Sequence, residues 1–568
     1  MLMRILTTLA VLTGLAVTPG IAQKWVKPCC TTKQTVTVDS TKVYSTSSVD
    51  SARLNKWSGV LRVYPRTKVD SIQRPKVCTG GYVVDVTPGT VSIQSGNSDS
   101  LFAAVTRCGV TVPNVVMTWF SRNTNAIATP ASTGKRISIT AASPGTSYVG
   151  ATSDGGGSDS ALVTTTSAPL PDGFFVATNG SANNAGTLAA PWTLAKAMDS
   201  PAGVSAGDTI WVRGGIYTGE FVNTNTAGTT GSKLVFKAYP GERPRINGRL
   251  TINGDNTAFW GLEIYESNPA TGGNGLGIND RATGTLLIHN IVHDNGQSCL
   301  GSWMESPNSV VYGNIVYNCG THENLDHGIY FQNSSGTKLI KDNIVFNNLA
   351  YGFHGFTSGQ QSLINTTLRR NTSFNNGTIA TGYSERPDYL VGAGSGSPVI
   401  DEITMDSNYS FRNTVSQETA DIGWHFGQAG GDLVFTDNHM VGTRFMNTWA
   451  SVDSTPSNTQ RLSFPGSGEL VLVQPSDYDI NRGNVIIYNW DLGSTVAVDL
   501  STILNVGQVY HVKHVFDLWG SDVLTGTYGG GSVSFPMQAV SPPALLGRTY
   551  TTAPTPGPRF GAFVVTGD

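Results

Sequence analysis

His289-Asn290-Ile291-Val292, Gly313-Asn314-Ile315-Val316, Asp342-Asn343-Ile344-Val345, Arg370-Asn371-Thr372-Ser373, Ser407-Asn408-Tyr409-Ser410 and Asp437-Asn438-His439-Met440 are six versions of one phrase. Each has a polar residue or glycine, then an asparagine, then a short strand. The asparagines are spaced by 24, 29, 28, 37 and 30 residues. Between Asn290 and Asn376 there are 14 asparagines in 87 residues, far more than ordinary usage. One arrangement accounts for both facts. Each repeat is one coil of a parallel β-solenoid, and a stacked asparagine at one recurring turn satisfies the backbone of neighbouring coils. These asparagines therefore read as a structural ladder and not as a catalytic site.

Upstream of the repeats stand, in order, Phe175-Val176-Ala177-Thr178-Asn179-Gly180-Ser181, Gly186-Thr187, Pro191-Trp192-Thr193-Leu194 and Gly207-Asp208-Thr209-Ile210-Trp211-Val212-Arg213-Gly214-Gly215-Ile216-Tyr217. They resemble the first coils of secreted right-handed parallel β-helix proteins of the pectate lyase-like superfamily, and the resemblance covers residues 174–450. It implies an all-β solenoid. It leaves the chemistry open, because that superfamily includes polysaccharide lyases, glycoside hydrolases, uronate epimerases and non-catalytic binders.

On either side the pattern changes. Residues 460–568 alternate in short runs such as Val485-Ile486-Ile487-Tyr488-Asn489-Trp490 and Val496-Ala497-Val498-Asp499-Leu500, which predicts a C-terminal β-sandwich capping the open end of the solenoid or binding glycan. In residues 82–168, Val86-Thr87-Pro88-Gly89, Met117-Thr118-Trp119-Phe120-Ser121-Arg122-Asn123 and Ala161-Leu162-Val163-Thr164-Thr165 resemble bacterial immunoglobulin-like domains of group 2, with Trp119 as the core tryptophan. Residues 23–81 lack periodicity and read as an N-terminal arm. Met1–Ala22 has Arg4, an apolar stretch Ile5–Val17 and a small-residue site at Gly20-Ile21-Ala22, the layout of a secretory signal. Export to an oxidising compartment agrees with the six cysteines. Cys29 and Cys30 are expected to bond Cys78 and Cys108, and Cys299 and Cys319 to bridge adjacent coils.

Composition narrows the partners. The 568 residues carry 36 Lys+Arg against 39 Asp+Glu, a net charge of -3, with only 13% charged residues and 66 glycines. No basic excess exists to neutralise phosphates, so nucleic acid is not expected as a partner. No later apolar run is long enough to span a bilayer, which excludes membrane insertion by helices.

A second strand in each coil opens on a glycine phrase: Leu276-Gly277-Ile278-Asn279, Leu300-Gly301-Ser302-Trp303, His327-Gly328-Ile329-Tyr330, Tyr351-Gly352-Phe353-His354 and Ile422-Gly423-Trp424-His425. Strand side chains alternate faces. Ile278, Ser302, Ile329, Phe353 and Trp424 then fall in one inward column, and Asn279, Trp303, Tyr330, His354 and His425 in an outward one. Aromatic faces stack on sugar rings and imidazoles move protons, so the outward column predicts a polysaccharide groove. The plainer alternative is a row of ordinary surface residues. Two longer coils add loops beside it. One is Thr321-His322-Glu323-Asn324-Leu325-Asp326 and the other contains Ser384-Glu385-Arg386-Pro387-Asp388. Loops on a rigid scaffold are where function concentrates.

His322-Glu323-Asn324-Leu325-Asp326-His327 misses the zinc-protease spacing by one position and precedes a strand. No metal site is assigned; a metal at His322, Asp326 or His327 is the alternative. If the strand already runs at Asp326, His327 points inward and becomes a core histidine. Calcium-dependent members of the superfamily use clustered Asp with a Lys base. No such cluster stands on these coils, and Lys341 sits beside the ladder, so calcium has no assigned ligands.

Three chemistries fit the remaining residues. A lyase acting on a uronate polymer would take His327 or His354 as base, Tyr330 as acid and Arg386 or Arg370 as cation. A hydrolase would pair carboxylates among Glu305, Glu323, Asp326, Glu385 and Asp388, about 5–9.5 Å apart. A glycan-binding or adhesion protein needs neither. Asn279, Trp303, Glu305, His322, Arg386, Asp388 and His425 are the candidate substrate-binding residues, and His327, Tyr330, His354, Asp326 and Glu323 the candidate catalytic ones. The lyase is the first reading.

Overall fold

Short strands with only one to three inward residues each cannot bury a core alone, and stacking them does so. The computed structural model describes residues 80–568 apart from 129–132, 167–170, 270–274, 323–324, 360, 380–385, 397, 414–417, 425–432, 443, 448–451, 455–456 and 462. Met1–Ala22, the arm up to residue 79 with Cys29, Cys30 and Cys78, and Glu323, Glu385 and His425 therefore lie outside the described residues. The chain divides into two compact units, Met1–Pro171 and Asp172–Asp568.

In the first unit, strands between Tyr82 and Thr166 form a five-stranded and a four-stranded sheet. Both contribute to one core that includes Val84, Leu101, Trp119, Ile139 and Val149. The Trp119 indole donates to the Gly134 carbonyl at 2.9 Å, so its one polar atom is satisfied. Cys108 is disulfide-bonded.

The second unit is a parallel β-helix with a β-sandwich. Its coils run through three parallel ladders, and the only described helix here is Leu194–Ala197, with the Thr193 side chain as N-cap. Ladder A includes Thr257–Trp260, Leu286–Ile288, Ser309–Tyr312, Lys338–Lys341 and Ser362–Arg369. Ladder B includes Glu263–Tyr265, Ile291–His293, Ile315–Tyr317, Ile344–Phe346 and Thr372–Phe374. Ladder C includes Ile278–Asp280, Leu300–Ser302, Ile329–Phe331, Phe353–Gly359 and Tyr389–Gly396. The interior is filled by aligned columns such as Phe236, Phe259, Leu287, Val311, Ile340 and Leu368. Phe236 and Phe259 stack at 4.9 Å.

The turn from A to B holds the asparagine ladder. Asn343 Oδ1 accepts the Asn314 backbone N–H and Nδ2–H, each at 2.9 Å, while its own Nδ2 donates to Val311 O and Asn371 Oδ1, also at 2.9 Å. The pattern repeats at Asn290, Asn371, Asn408 and Asn438. The residue before each ladder asparagine turns the corner in the left-handed region, with φ between 51° and 63° from His289 to Asp437.

A second ladder, not expected from the single phrase, follows five residues later at the turn from B to C. Asn348 Oδ1 accepts the Cys319 N–H at 3.0 Å, and Asn376 Oδ1 accepts Asn348 N–H and Nδ2–H. Cys299 and Cys319 form the disulfide expected between adjacent coils.

The sandwich corrects one expectation. It does not cap the end of the solenoid; it lies along ladder B. In its two central coils both outward positions are apolar or aromatic (Ile315 and Tyr317, Ile344 and Phe346), and they share a core with Ile486, Tyr488, Phe516 and Phe560. A sheet face with nothing polar to show water needs such a cover. Residues after Pro543 continue as a strap over the second asparagine turn, where Pro543, Ala544 and Pro554 carbonyls accept from Asn318 and Asn375.

Candidate active site

With ladder B covered, the outward middle position of ladder C holds the candidate column. Its register runs Asn279, Gly301, Tyr330, His354, Leu390, Asp421. This corrects the sequence alignment in two places. Leu300 lies opposite Ile278, so Gly301 and not Trp303 holds the column position. Trp303 folds back over that glycine, where a Cβ would come within 3.1 Å of its ring. Its indole donates to Asn279 Oδ1 at 2.7 Å and its ring lies 5.1 Å from Tyr330. Asn279, Trp303, Tyr330 and His354 therefore lie side by side. Further on, Trp424 pairs with Gly392 and not with the Phe353 column, because the long coil contributes its own strand at Tyr389.

His327 precedes its strand, which begins at Ile329. Its ring is not part of the solenoid core. It lies 4.0 Å from His354 and 5.7 Å from Tyr330. Tyr330 and His354 are 5.0 Å apart, and Tyr351 and Phe356 pack on His354 at 4.7 and 5.0 Å. Arg386 stands over the Tyr351 ring at 5.9 Å.

Both histidines are buried, at 2% and 6% exposure. His327 Nδ1 and both ring nitrogens of His354 have no hydrogen-bond partner among the described residues. Burial, reinforced by Arg386, pushes His327 down to about 3; burial and the neighbouring His327 hold His354 well below the usual imidazole range. Burial raises the Tyr330 phenol to about 12. Its hydroxyl donates to Phe356 O at 3.0 Å and accepts from Gln332 Nε2 at 3.2 Å. At neutral pH the cluster thus holds two uncharged imidazoles beside one protonated phenol.

The other candidates are placed elsewhere. Asp326 is buried and its Oδ2 accepts the backbone N–H groups of Thr321 and His322, tying down the loop. His322 is exposed and pairs with the same carboxylate. Asp388 is fully buried, against its expected role at the groove. It ends the second asparagine ladder on Asn376 and faces Arg412 Nε at 2.9 Å, while burial raises it to about 6. Glu305 is exposed. Arg370 pairs with Asp342 at the A-to-B turn, away from ladder C, so Arg386 is the cation beside the cluster. Lys341 is paired with Asp477. Among the described residues no group of His, Cys, Asp or Glu is arranged to hold a metal ion.

Sequence reasoning passed over Tyr351 and Phe356, which enclose the imidazoles. Tyr351 was legible as the residue before Gly352, the same position that His327 holds before Gly328.

Residues 174–380 match the family model described as Pel9A-like, right handed beta helix region, which identifies the hand and kind of these coils. No curated protein matches the chain. Among solved structures, pectate lyase Pel9A is similar with 18% identity and a TM-score of 0.38, over 50% of this chain and 78% of that one. The A-module of the Azotobacter vinelandii mannuronan C-5 epimerase AlgE4 gives 15% identity and 0.22, over 46% and 95%. The enzymatically active domain of bacteriophage CBA120 tailspike protein 2 gives 10% and 0.26, over 74% and 69%.

Proposed function

We propose that this protein is an exported polysaccharide lyase that cleaves a uronate-containing glycan by β-elimination on the outward face of ladder C. One observation carries the reading: two neutral imidazoles, His327 and His354, face a protonated Tyr330 hydroxyl with Arg386 alongside. A β-elimination needs these roles. An imidazole nitrogen takes the C5 proton, the electron pair forms the C4=C5 double bond, the C4–O bond breaks, and the leaving oxygen takes a proton from Tyr330. Arg386 offers charge to the uronate carboxylate, which acidifies C5. Trp303, tilted 50° against Tyr330, offers an aromatic face for the adjoining sugar.

The described carboxylates do not support hydrolysis. Asp326 and Asp388 are committed to a loop and to Arg412, and Glu305 alone of the described candidates reaches solvent. Tyr351 and Phe356 cover the imidazoles, so the reading requires that cover to open for substrate. The family-model match supports a glycan-cleaving solenoid, and Met1–Ala22 supports export.

The test is a panel of acidic and neutral polysaccharides incubated with the protein. Ultraviolet absorbance of the unsaturated product and new reducing ends are followed together. The lyase gives both on a uronate polymer. Reducing ends without absorbance would mean hydrolysis, and glycan binding with neither signal would make the protein a binder.

A further inference from the structure

At the seam between the A-to-B turn and the sandwich, one imidazole joins a serine to an aspartate. His289 Nδ1 lies 2.9 Å from Asp479 Oδ2, and its Nε2 lies 3.2 Å from Ser476 Oγ. The bond to the carboxylate fixes the tautomer: Nδ1 carries the proton and donates it, leaving Nε2 as acceptor. Ser476 Oγ already accepts the backbone N–H groups of Tyr478 and Asp479, each at 3.1 Å. Its own proton can go to His289 Nε2, at 3.2 Å, or to the neighbouring Tyr312 hydroxyl. Burial, with Arg482 nearby, lowers His289 to about 4, so it is an uncharged acceptor at neutral pH.

We infer that Ser476, His289 and Asp479 form a second active site, a nucleophile–base–acid triad that hydrolyses short acyl esters. Such constellations recur on unrelated folds and are recognised by geometry and not by sequence order. Ser476 Oγ attacks the ester carbonyl carbon while its proton passes to His289 Nε2. The Tyr478 and Asp479 N–H groups stabilise the oxygen as it loses that proton. The ester C–O bond then breaks and the alcohol leaves with the proton from His289. Water repeats the sequence on the acyl-serine, giving its proton to His289 and releasing the carboxylic acid. Ester and water become acid and alcohol, and the enzyme is unchanged.

The substrate class follows from the walls. Tyr312 and Tyr478 meet at 4.7 Å beside Ser476, and Trp260 lies 5.9 Å from Tyr478. These rings touch and leave no slot between them for a long acyl chain, so the class proposed is the smallest ester, an acetate. Ser476 and Asp479 are half-buried, not sealed, so an ester on a polymer hydroxyl can reach them.

The test uses a fluorophosphonate probe and 4-nitrophenyl acetate on the full chain. Expected is one adduct, located by peptide mass spectrometry on Ser476 and lost when the protein is denatured first. Ser476→Ala should abolish the adduct and lower kcat/KM by about 10³-fold or more, and Asp479→Asn should lower kcat. Absence of the adduct from folded protein would overturn the inference whether or not the variants fold. So would acetate-ester turnover by Ser476→Ala at the unaltered rate.

Discussion

Replacing His354 with leucine should make the protein more stable and inactive. The side chain holds two buried ring nitrogens without partners among the described residues. A buried polar group left unsatisfied costs about 1–3 kcal/mol. Leucine has a similar volume and removes both, so after imperfect packing among Tyr330, Tyr351 and Phe356 the expected gain is about 2–4 kcal/mol. In a unit of this size a kcal/mol moves the melting temperature by about 1–2 °C, giving a rise of ~2–8 °C. The pH dependence supplies a signature that mere packing would not. The folded His354 has its pKa depressed below the unfolded value, so on acidification the unfolded chain binds a proton that the native state refuses. Stability of the unaltered protein then falls as pH drops below about 6.5, by up to ~1.4 kcal/mol per pH unit for each such histidine. The gain from His354→Leu should widen over that window. Calorimetry between neutral and mildly acidic pH reads both effects. A variant that melts below the unaltered protein, or a difference that stays flat with pH, would refute the reasoning.

Asn343→Ala removes an acceptor for two Asn314 donors and a donor for two more groups, and should cost about 3–5 kcal/mol in denaturant titration. Asp388→Ala leaves the Arg412 guanidinium buried without its carboxylate and should cost about 3–5 kcal/mol, with a lower denaturation midpoint as the readout. Removing the Cys299–Cys319 bridge by double serine substitution opens a loop of 20 residues and should cost about 3 kcal/mol by melting. Tyr330→Phe keeps the ring and deletes the acid, so elimination should slow by about 10²–10⁴-fold with little change in melting temperature.

Much of the fold is legible because the A-to-B turn asks for one side chain. Only an amide can accept from one coil and donate to the next without burying charge, so the asparagine phrase marks every coil. The second ladder was equally present, as Asn348 and Asn376 five residues after Asn343 and Asn371. It was masked where Cys319 takes the place of an amide. Strand alternation puts Tyr330 and His354 on one face, because parity depends only on counting. Register does not follow from parity. Cys299 occupies the place of Gly277, Gly328 and Gly352, and aligning on Gly301 shifted that coil by two residues. The cover on ladder B had a local signal, since Ile-Val-Tyr and Ile-Val-Phe show no polar outward residue. Which segment supplies the cover did not. The contacts of His289 with Ser476 and Asp479 span 187 and 190 residues, and no local pattern predicts them.

The central claim is that Tyr330 and the imidazoles break a uronate glycan by elimination. Cleavage in heavy-oxygen water, followed by mass spectrometry of the fragments, tests it most directly. Elimination breaks the bond without consuming water, so the account predicts fragments with a double bond and no label, formed by the unaltered protein and lost in His354→Leu. One labelled oxygen per cleaved bond would contradict it, as would unlabelled cleavage that continues undiminished without His354.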